Sequence, residues 1–328
     1  LKKKNLAALL VGCLSLSGVV RLSAATVDVE REKETLIKGR PDEQQRAMAN
    51  LAKGDNKATA VLCDVIENEK DATAKARAAT ALDENLKTAT NRNEETLTRL
   101  ERMTQSSDEK VVRLSASSVM HFKDSSRARK ILRTLAKEHP DQQVRAHALG
   151  AFMVNIDGDK SEIPFVESFL QDKSEYVRVW AAGYLGALGS KSGLALCRDV
   201  LSREPLDDKI RALQMRAAIA AGRIGDPSLI PALKKVGASQ DYGIAKWEAL
   251  VAIKAIELKA TSDKTERMQY LKTALSQTVY AQWAVQQLMA QGDSDALEIL
   301  RWAAKSKGLA GMYEAQRAVA VMEQVPNK

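Results

Sequence analysis

The chain of 328 residues has little of what makes tight turns, sheets or reactive centres. It contains 7 prolines, 17 glycines, 3 cysteines and 3 histidines, and aromatic residues make up 4%. Strands lose their preferred residues when aromatics are this scarce, whereas the abundant alanine suits closely packed helices. The histidines, His121, His139 and His147, have no second His, Cys or Glu at metal-ligand spacing, which argues against a metal site. Nucleophile and nucleotide motifs are missing as well. There is no Gly-x-Ser-x-Gly, no P-loop and no Gly-x-Gly-x-x-Gly, and the glycines stand where helices would end. Carboxylates are plentiful but dispersed. These absences predict a protein that is not an enzyme and has neither cofactor nor metal.

Long apolar runs are also scarce, with one exception at the start. Lys2, Lys3 and Lys4 precede an apolar run from Leu6 to Val20, and Ser23-Ala24-Ala25 supplies small residues for a cleavage site. This reads as an export signal over residues 1–25, since a run of this length is short for a membrane span. Leu10-Val11-Gly12-Cys13 resembles a bacterial lipobox, so lipid anchoring through Cys13 is the alternative processing. Loss of Lys2, Lys3, Lys4 and Arg21, with no acid, takes the net charge from +8 to +4. That is mild for nucleic-acid binding. Cys63 and Cys197 remain. At about 10 Å per packed helix layer they would lie about 40 Å apart, far beyond disulfide reach, so each is expected as a free thiol in a helix.

What the chain does have is repetition. In Met215 to Lys235, Met215, Ala218, Ile219 and Gly222 fall on one helical face. Gly225 then suits a left-handed stop, Asp226 an N-cap and Pro227 a first turn. Leu229, Ile230 and Leu233 give a second helix its own stripe. Comparable turns occur at Gly54-Asp55, Lys123-Asp124, Gly158-Asp159, Gly189-Ser190 and Gly292-Asp293, with weaker ones at 91–93 and at Ser262-Asp263. Capping positions 55, 92, 124, 159, 190, 226, 263 and 293 give a step of about 30 to 37 residues, the period of a helical-hairpin solenoid. The first helices share Val112-Arg113, Val144-Arg145, Val177-Arg178 and Met215-Arg216, followed three residues later by Ala116, Ala148, Ala181 and Ile219. Earlier units keep only Arg46 and Arg77. Later ones carry Lys246 and Gln282, and Arg317 stands in a last helix without a partner.

This pattern, Val-Arg-x-x-Ala, then Leu/Ile-Gly-Asp-Pro, then an apolar second helix, resembles HEAT repeats, and most of all the bacterial phycobilisome-lyase-type HEAT-like repeats. The resemblance covers residues 42–328 and is strongest from Asp108 to Val236. Residues 71–105 and 239–276 are assigned by spacing more than by motif. It implies an all-α fold, a right-handed α-α superhelix of about eight helical hairpins plus a C-terminal helix. A charged lead-in at 26–41 precedes it, and a curved rod of about 80 Å results at the usual helix spacing. In such arrays the column arginine meets an acid of its own or the next repeat. Asp108 and Asp141 stand five and four positions before Arg113 and Arg145, where a pair can form. HEAT-like iron hydroxylases show several His-Glu pairs, and none occurs here.

Candidate contact residues lie on the second helix of the third unit. Ala128, Ile131, Leu132 and Leu135 would face the core. Arg127, Lys130, Thr134 and Lys137 would then share the outer face, with Arg133 beside them. The resemblance places second helices on the concave side, so this would be a basic stripe inside the curve. The next second helix offers Glu162, Glu167 and Asp172 instead. His147 holds the position that Trp180 holds one unit later and is expected to be packed. Trp180, Trp247 and Trp283 sit near the arginine column, where packing explains them, and Trp302 is the aromatic best placed for a contact.

The reading is an exported, non-catalytic scaffold that lays a protein or peptide partner, acidic if the stripe is used, along its concave face. No nucleic acid is expected, and a membrane only if Cys13 is lipidated. The alternatives are a HEAT-like lyase or chaperone acting on a tetrapyrrole or its carrier protein, and a HEAT-like DNA glycosylase. Neither finds its reactive residues here.

Overall fold

A computed structural model describes residues 28–239 and 243–324. The expected signal, with Cys13, lies outside the described residues. Those residues form eighteen α-helices and no strand. No helix among them is long and apolar enough to cross a membrane. They divide into two compact units, 28–177 and 178–324.

In residues 28–177 the first helices of the repeats are α2 (Pro41–Ala52), α4 (Ala72–Asn85), α6 (Glu109–Val119) and α8 (Gln142–Asn155). The second helices are α1 (Val29–Lys38), α3 (Asn56–Asn68), α5 (Glu94–Met103), α7 (Ser126–Glu138) and α9 (Ile163–Glu167), the last extended by a 3-10 turn at Ser168–Gln171. The lead-in therefore contains a formed helix, α1, which packs on α2 and α3 and buries Leu36 completely. First helices stack on first helices (α2 on α4, α6 on α8), second on second (α1 on α3, α3 on α5), and α1, α3, α5 and α7 each close on the first helix that follows. The apolar stripes of these layers meet in a core of leucines, valines and alanines. A fully buried Leu or Val contributes about 1.5–3 kcal/mol.

Two kinds of polar device reinforce that stacking at one repeat's separation. Asn85 Nδ2, fully buried near the end of α4, donates to the carbonyls of Leu51 (3.1 Å) and Gly54 (2.9 Å). Asn155 Nδ2, at the same place in α8, donates to Phe122 O at 3.0 Å. Each satisfies carbonyls that the preceding first helix or its turn leaves open. Ions do the rest. Lys75 bonds Asp108 at 2.8 Å, Arg102 bonds Glu67 at 3.1 Å, and Lys33 bonds Asp64.

In the second unit the first helices are α10 (Glu175–Leu188), α12 (Asp208–Ile224), α14 (Ile244–Ala260), α16 (Thr278–Gln291) and α18 (Met312–Gln324). The second helices are α11 (Leu194–Ser202), α13 (Ile230–Gly237), α15 (Lys264–Ala274) and α17 (Ser294–Lys305). Gly225 takes φ +74° and ends α12, and Asp226 caps the next turn through Ser228 N, as the sequence predicts. Burial on α12 is broader than the predicted stripe and turned from it, for Ala218 and Gly222 are buried while Met215 and Ile219 are only half-buried. Leu213, Gln214, Ala217, Ala220 and Ala221 join Ala218, because α14 covers one flank and α11 another. Close approach needs small residues here: a methyl added at Gly186 would lie 2.7 Å from Ile224 N.

Capping side chains appear at Asp55, Asn93, Asp159, Asp226, Asp263 and Asp293, within one residue of the predicted positions. Two positions shift. The cap expected at 124 is Ser125, whose hydroxyl accepts from Ala128 N. At 190, Ser190 instead folds a turn by accepting from Ser192 N, and α11 begins only after Gly193.

Candidate functional site

The arginine column is structural where it is most buried. Arg145 is 2% exposed and grips Asp172 of the following repeat through two bonds, Nε to Oδ2 at 2.9 Å and Nη2 to Oδ1 at 2.8 Å. Its Nη1 donates to the carbonyls of His139 and Pro140 at the end of α7. Burial pushes the Asp172 carboxyl up, but the Arg145 hydrogen bonds outweigh it and hold it below the usual carboxylate range. The expected pairing with Asp141 does not form, because Asp141 caps α8 through Val144 N. Asp108 likewise caps α6 and turns back to Lys75, while Arg113 comes within 4.0 Å of Glu109. The register expected for Met215-Arg216 is also corrected. Arg211, four residues after the Asp207 cap, donates to Pro205 O as Arg145 does to its own loop. Arg216 lies two turns into a longer helix, with its guanidinium 4.4 Å over Trp180.

The basic stripe on α7 lies where the sequence placed it. Ala128, Ile131, Leu132 and Leu135 are buried, as is Ala136. The helix carries five cationic side chains against one acid, Glu138, and these fall into three groups. Arg127 turns toward α5 and is bound by Glu101 and by Glu94 at 3.1 Å, which raises its already high pKa. Arg133 reaches Glu162 at 2.6 Å and lies 3.9 Å over the Phe165 ring, with Arg129 3.8 Å from the same carboxylate. Lys137 donates to Ser168 Oγ and sits 4.4 Å over Phe169. Partial burial pulls its ammonium below the usual lysine value, with Asp172 opposing. Lys130 and Thr134 are exposed, and Lys130 has no ionic partner among the described residues.

Together these residues line an open groove of about 390 Å³ between α7 and α9, with Lys130, Arg133, Thr134 and Lys137 on one wall and Phe165 opposite. Phe165 is the part the sequence reading missed. It belongs to a cluster of edge-on rings, 4.8 Å from Phe152 and 5.1 Å from Phe169, and α9 presents it because Pro164 starts a short helix that tightens into a 3-10 turn. The acids expected to neighbour the stripe are partly committed. Glu162 belongs to Arg133 and Asp172 to Arg145.

Other predicted residues lie elsewhere. Trp302, 40% exposed on α17, has the Lys272 ammonium 4.6 Å above its ring. Trp283 is packed as expected and Trp180 is half-buried, but Trp247, near the start of α14, is 39% exposed. His147 is exposed rather than packed, with Nδ1 3.2 Å from Gln143 O. His121 Nε2 lies 2.6 Å from Asp83 of the preceding first helix. Cys63 and Cys197 are buried free thiols, pushed up by burial to about 11 and about 12. Among the described residues no three His, Cys, Asp or Glu side chains gather as a metal-binding group.

Residues 129–214 and 163–254 match the family profile of HEAT repeats. No curated protein matches the chain. Solved structures similar to it include the complex of CpcE and CpcF of phycocyanin lyase from Nostoc sp. PCC7120, at 18% identity and TM-score 0.44, covering 79% of this chain and 99% of that one. The YibA protein of Escherichia coli is 19% identical with TM-score 0.43, covering 70% and 81%. Human deoxyhypusine hydroxylase, in complex with glycerol, is 13% identical with TM-score 0.35, covering 90% and 96%. At such identities and TM-scores none of the three transfers an activity.

Proposed function

Because the chain carries HEAT repeats, we propose that it is a non-catalytic scaffold whose second-helix face docks an acidic protein segment in the groove between α7 and α9. The supporting observation is the charge balance of that face in residues 28–177. On α1, α3 and α5 the central cations meet acids one repeat away: Lys33 meets Asp64, Arg99 meets Asp64 and Glu67, and Arg102 meets Glu67. α7 breaks the balance. After Arg127, Arg129 and Arg133 have taken their acids, Lys130 and Lys137 still face the groove beside the Phe165 ring.

A segment bearing carboxylates and one apolar or aromatic side chain complements that wall. Each exposed ion pair is worth only about 0.2–1 kcal/mol, so recognition needs several at once plus the buried ring contact. Affinity should therefore fall as salt rises.

The test is a titration of a fluorescein-labelled Asp/Glu-rich peptide carrying a single Phe, followed by anisotropy, against its Gln/Asn counterpart. The acidic peptide should bind the chain, and Lys130→Glu with Thr134→Glu should remove binding while far-UV circular dichroism stays unchanged. Equal binding of both peptides, or binding that survives the double variant, would contradict the reading.

Export is the second part of the proposal, and it rests on residues 1–25. The mature protein should be recovered outside the cytoplasm, with a mass that begins at Thr26. A lipidated Cys13 terminus would replace cleavage after Ala25, and an intact cytoplasmic chain would remove export altogether.

A further inference from the structure

A cleft in the second unit has a different chemistry. About 510 Å³ opens between α14, α15 and the start of α16. Two tyrosine rings line it, Tyr270 from α15 and Tyr280 from α16, both half-buried. Around them stand exposed Thr265, Glu266, Gln269, Thr273 and Gln277.

The charges at the cleft largely cancel. Lys254 Nζ lies 3.0 Å from Glu257 Oε2 and 5.0 and 5.8 Å from the centroids of Tyr270 and Tyr280. The Tyr270 hydroxyl donates to the same carboxylate at 2.5 Å. Lys254 is thus occupied by Glu257 and offers no free cation to an anionic ligand, and Glu266 at the rim would repel one. What is left is a set of groups that both give and accept hydrogen bonds, the amides of Gln269 and Gln277 and the hydroxyls of Thr265 and Thr273. The Thr273 hydroxyl already donates to Gln269 O and keeps its lone pairs for a ligand.

From this juxtaposition we propose that the α14–α16 cleft is a binding site for a neutral saccharide. A sugar ring carries weakly positive C–H groups on its faces, which suit the negative face of an aromatic ring, and hydroxyls at its edge that both donate and accept. A charged ligand would lose hydration here without gaining a counter-ion. The volume suits one or two sugar rings, within the range of small-ligand pockets. Trp283 stands edge-on to Tyr270 with ring centroids 6.5 Å apart, so a ring stacked on Tyr270 perturbs a built-in fluorophore.

The test is saturation-transfer NMR on the full chain with cellobiose, maltose and N,N′-diacetylchitobiose in turn. At least one should receive saturation on its ring protons. Tyr280→Ala and, separately, Gln269→Ala should each weaken that ligand by about tenfold or more, a loss near 1.4 kcal/mol. Gln269 is exposed and Tyr280 half-buried, and circular dichroism confirms that the helices persist. Lys130→Glu, on the other unit's groove, should leave the saccharide signal intact. No transfer to any of the three sugars overturns the proposal, as does transfer that persists in both variants. Binding of a proline-rich peptide with no competition from the sugars also overturns it, since it would assign the cleft to a protein segment.

Discussion

The groove on α7 and the cleft between α14 and α16 both involve a second helix of a repeat and its neighbours, yet their chemistry is opposite. The groove has a surplus of cations over acids and one phenylalanine floor. The cleft places two tyrosines beside a lysine already bound by glutamate. The repeat thus fixes where a surface is presented, while the few outward positions of each helix decide what it attracts. The same division holds within the first unit, where buried Arg145 is bound to Asp172 and serves the fold, whereas Lys130 is exposed with no ionic partner among the described residues.

The sharpest way to break that contrast is Arg145→Ala. It takes both Arg145 hydrogen bonds from the Asp172 carboxylate, 10% exposed, and should destabilise the chain by about 3–5 kcal/mol in urea denaturation. Lys191→Ala, which removes an exposed pair with Asp226, should cost no more than about 1 kcal/mol. Comparable losses from the two would mean that the buried arginine is no more structural than a surface one.

Packing in the second unit gives the next largest effect. Gly186→Ala drives a methyl against the backbone of Ile224 and should destabilise by about 1–3 kcal/mol by the same assay. Gly183→Ala meets nothing nearer than Ala220 Cβ at 3.4 Å and should be milder.

Acid should act through the paired carboxylates. Asp172, Asp108 and Asp64 are all held below the ordinary aspartate value by their hydrogen-bonded cations. Their contribution is therefore present above the unfolded value near about 4 and is lost as pH falls through the lower folded values. Urea midpoints compared at neutral pH and near pH 3 should drop more for the natural chain than for Arg145→Ala, which has already lost Asp172's share. The smallest effect on stability belongs to Lys130→Glu, within about 0.5 kcal/mol, although it should weaken the acidic peptide markedly.

How much of this the sequence disclosed depends on the range of the contact. The Gly225-Asp226-Pro227 turn, the buried stripe of α7 and most second-helix caps are set by neighbours within one helical turn, and they stand where predicted. Contacts between repeats were harder. Arg145 finds Asp172 rather than Asp141, and Asn85 finds Leu51 and Gly54, at separations that depend on how loops of unequal length bring the helices into phase. Phe165 was missed for that reason. Pro164 and the following 3-10 turn break the helical period that would have marked its side as facing α7. His147 and Trp247 show the converse. Their sequence positions match packed residues in other repeats, but at these two sites the side chains are exposed.

The most direct measurement is site-specific photo-crosslinking in the native cell, with the same photoreactive amino acid placed at Lys130 in the groove or at His147 on the exposed side of α8. The scaffold account predicts a discrete adduct from position 130, mapping by mass spectrometry to an acidic segment of one protein, and none from position 147. Adducts of equal yield from both positions, or none from 130 while other surfaces crosslink, would contradict it.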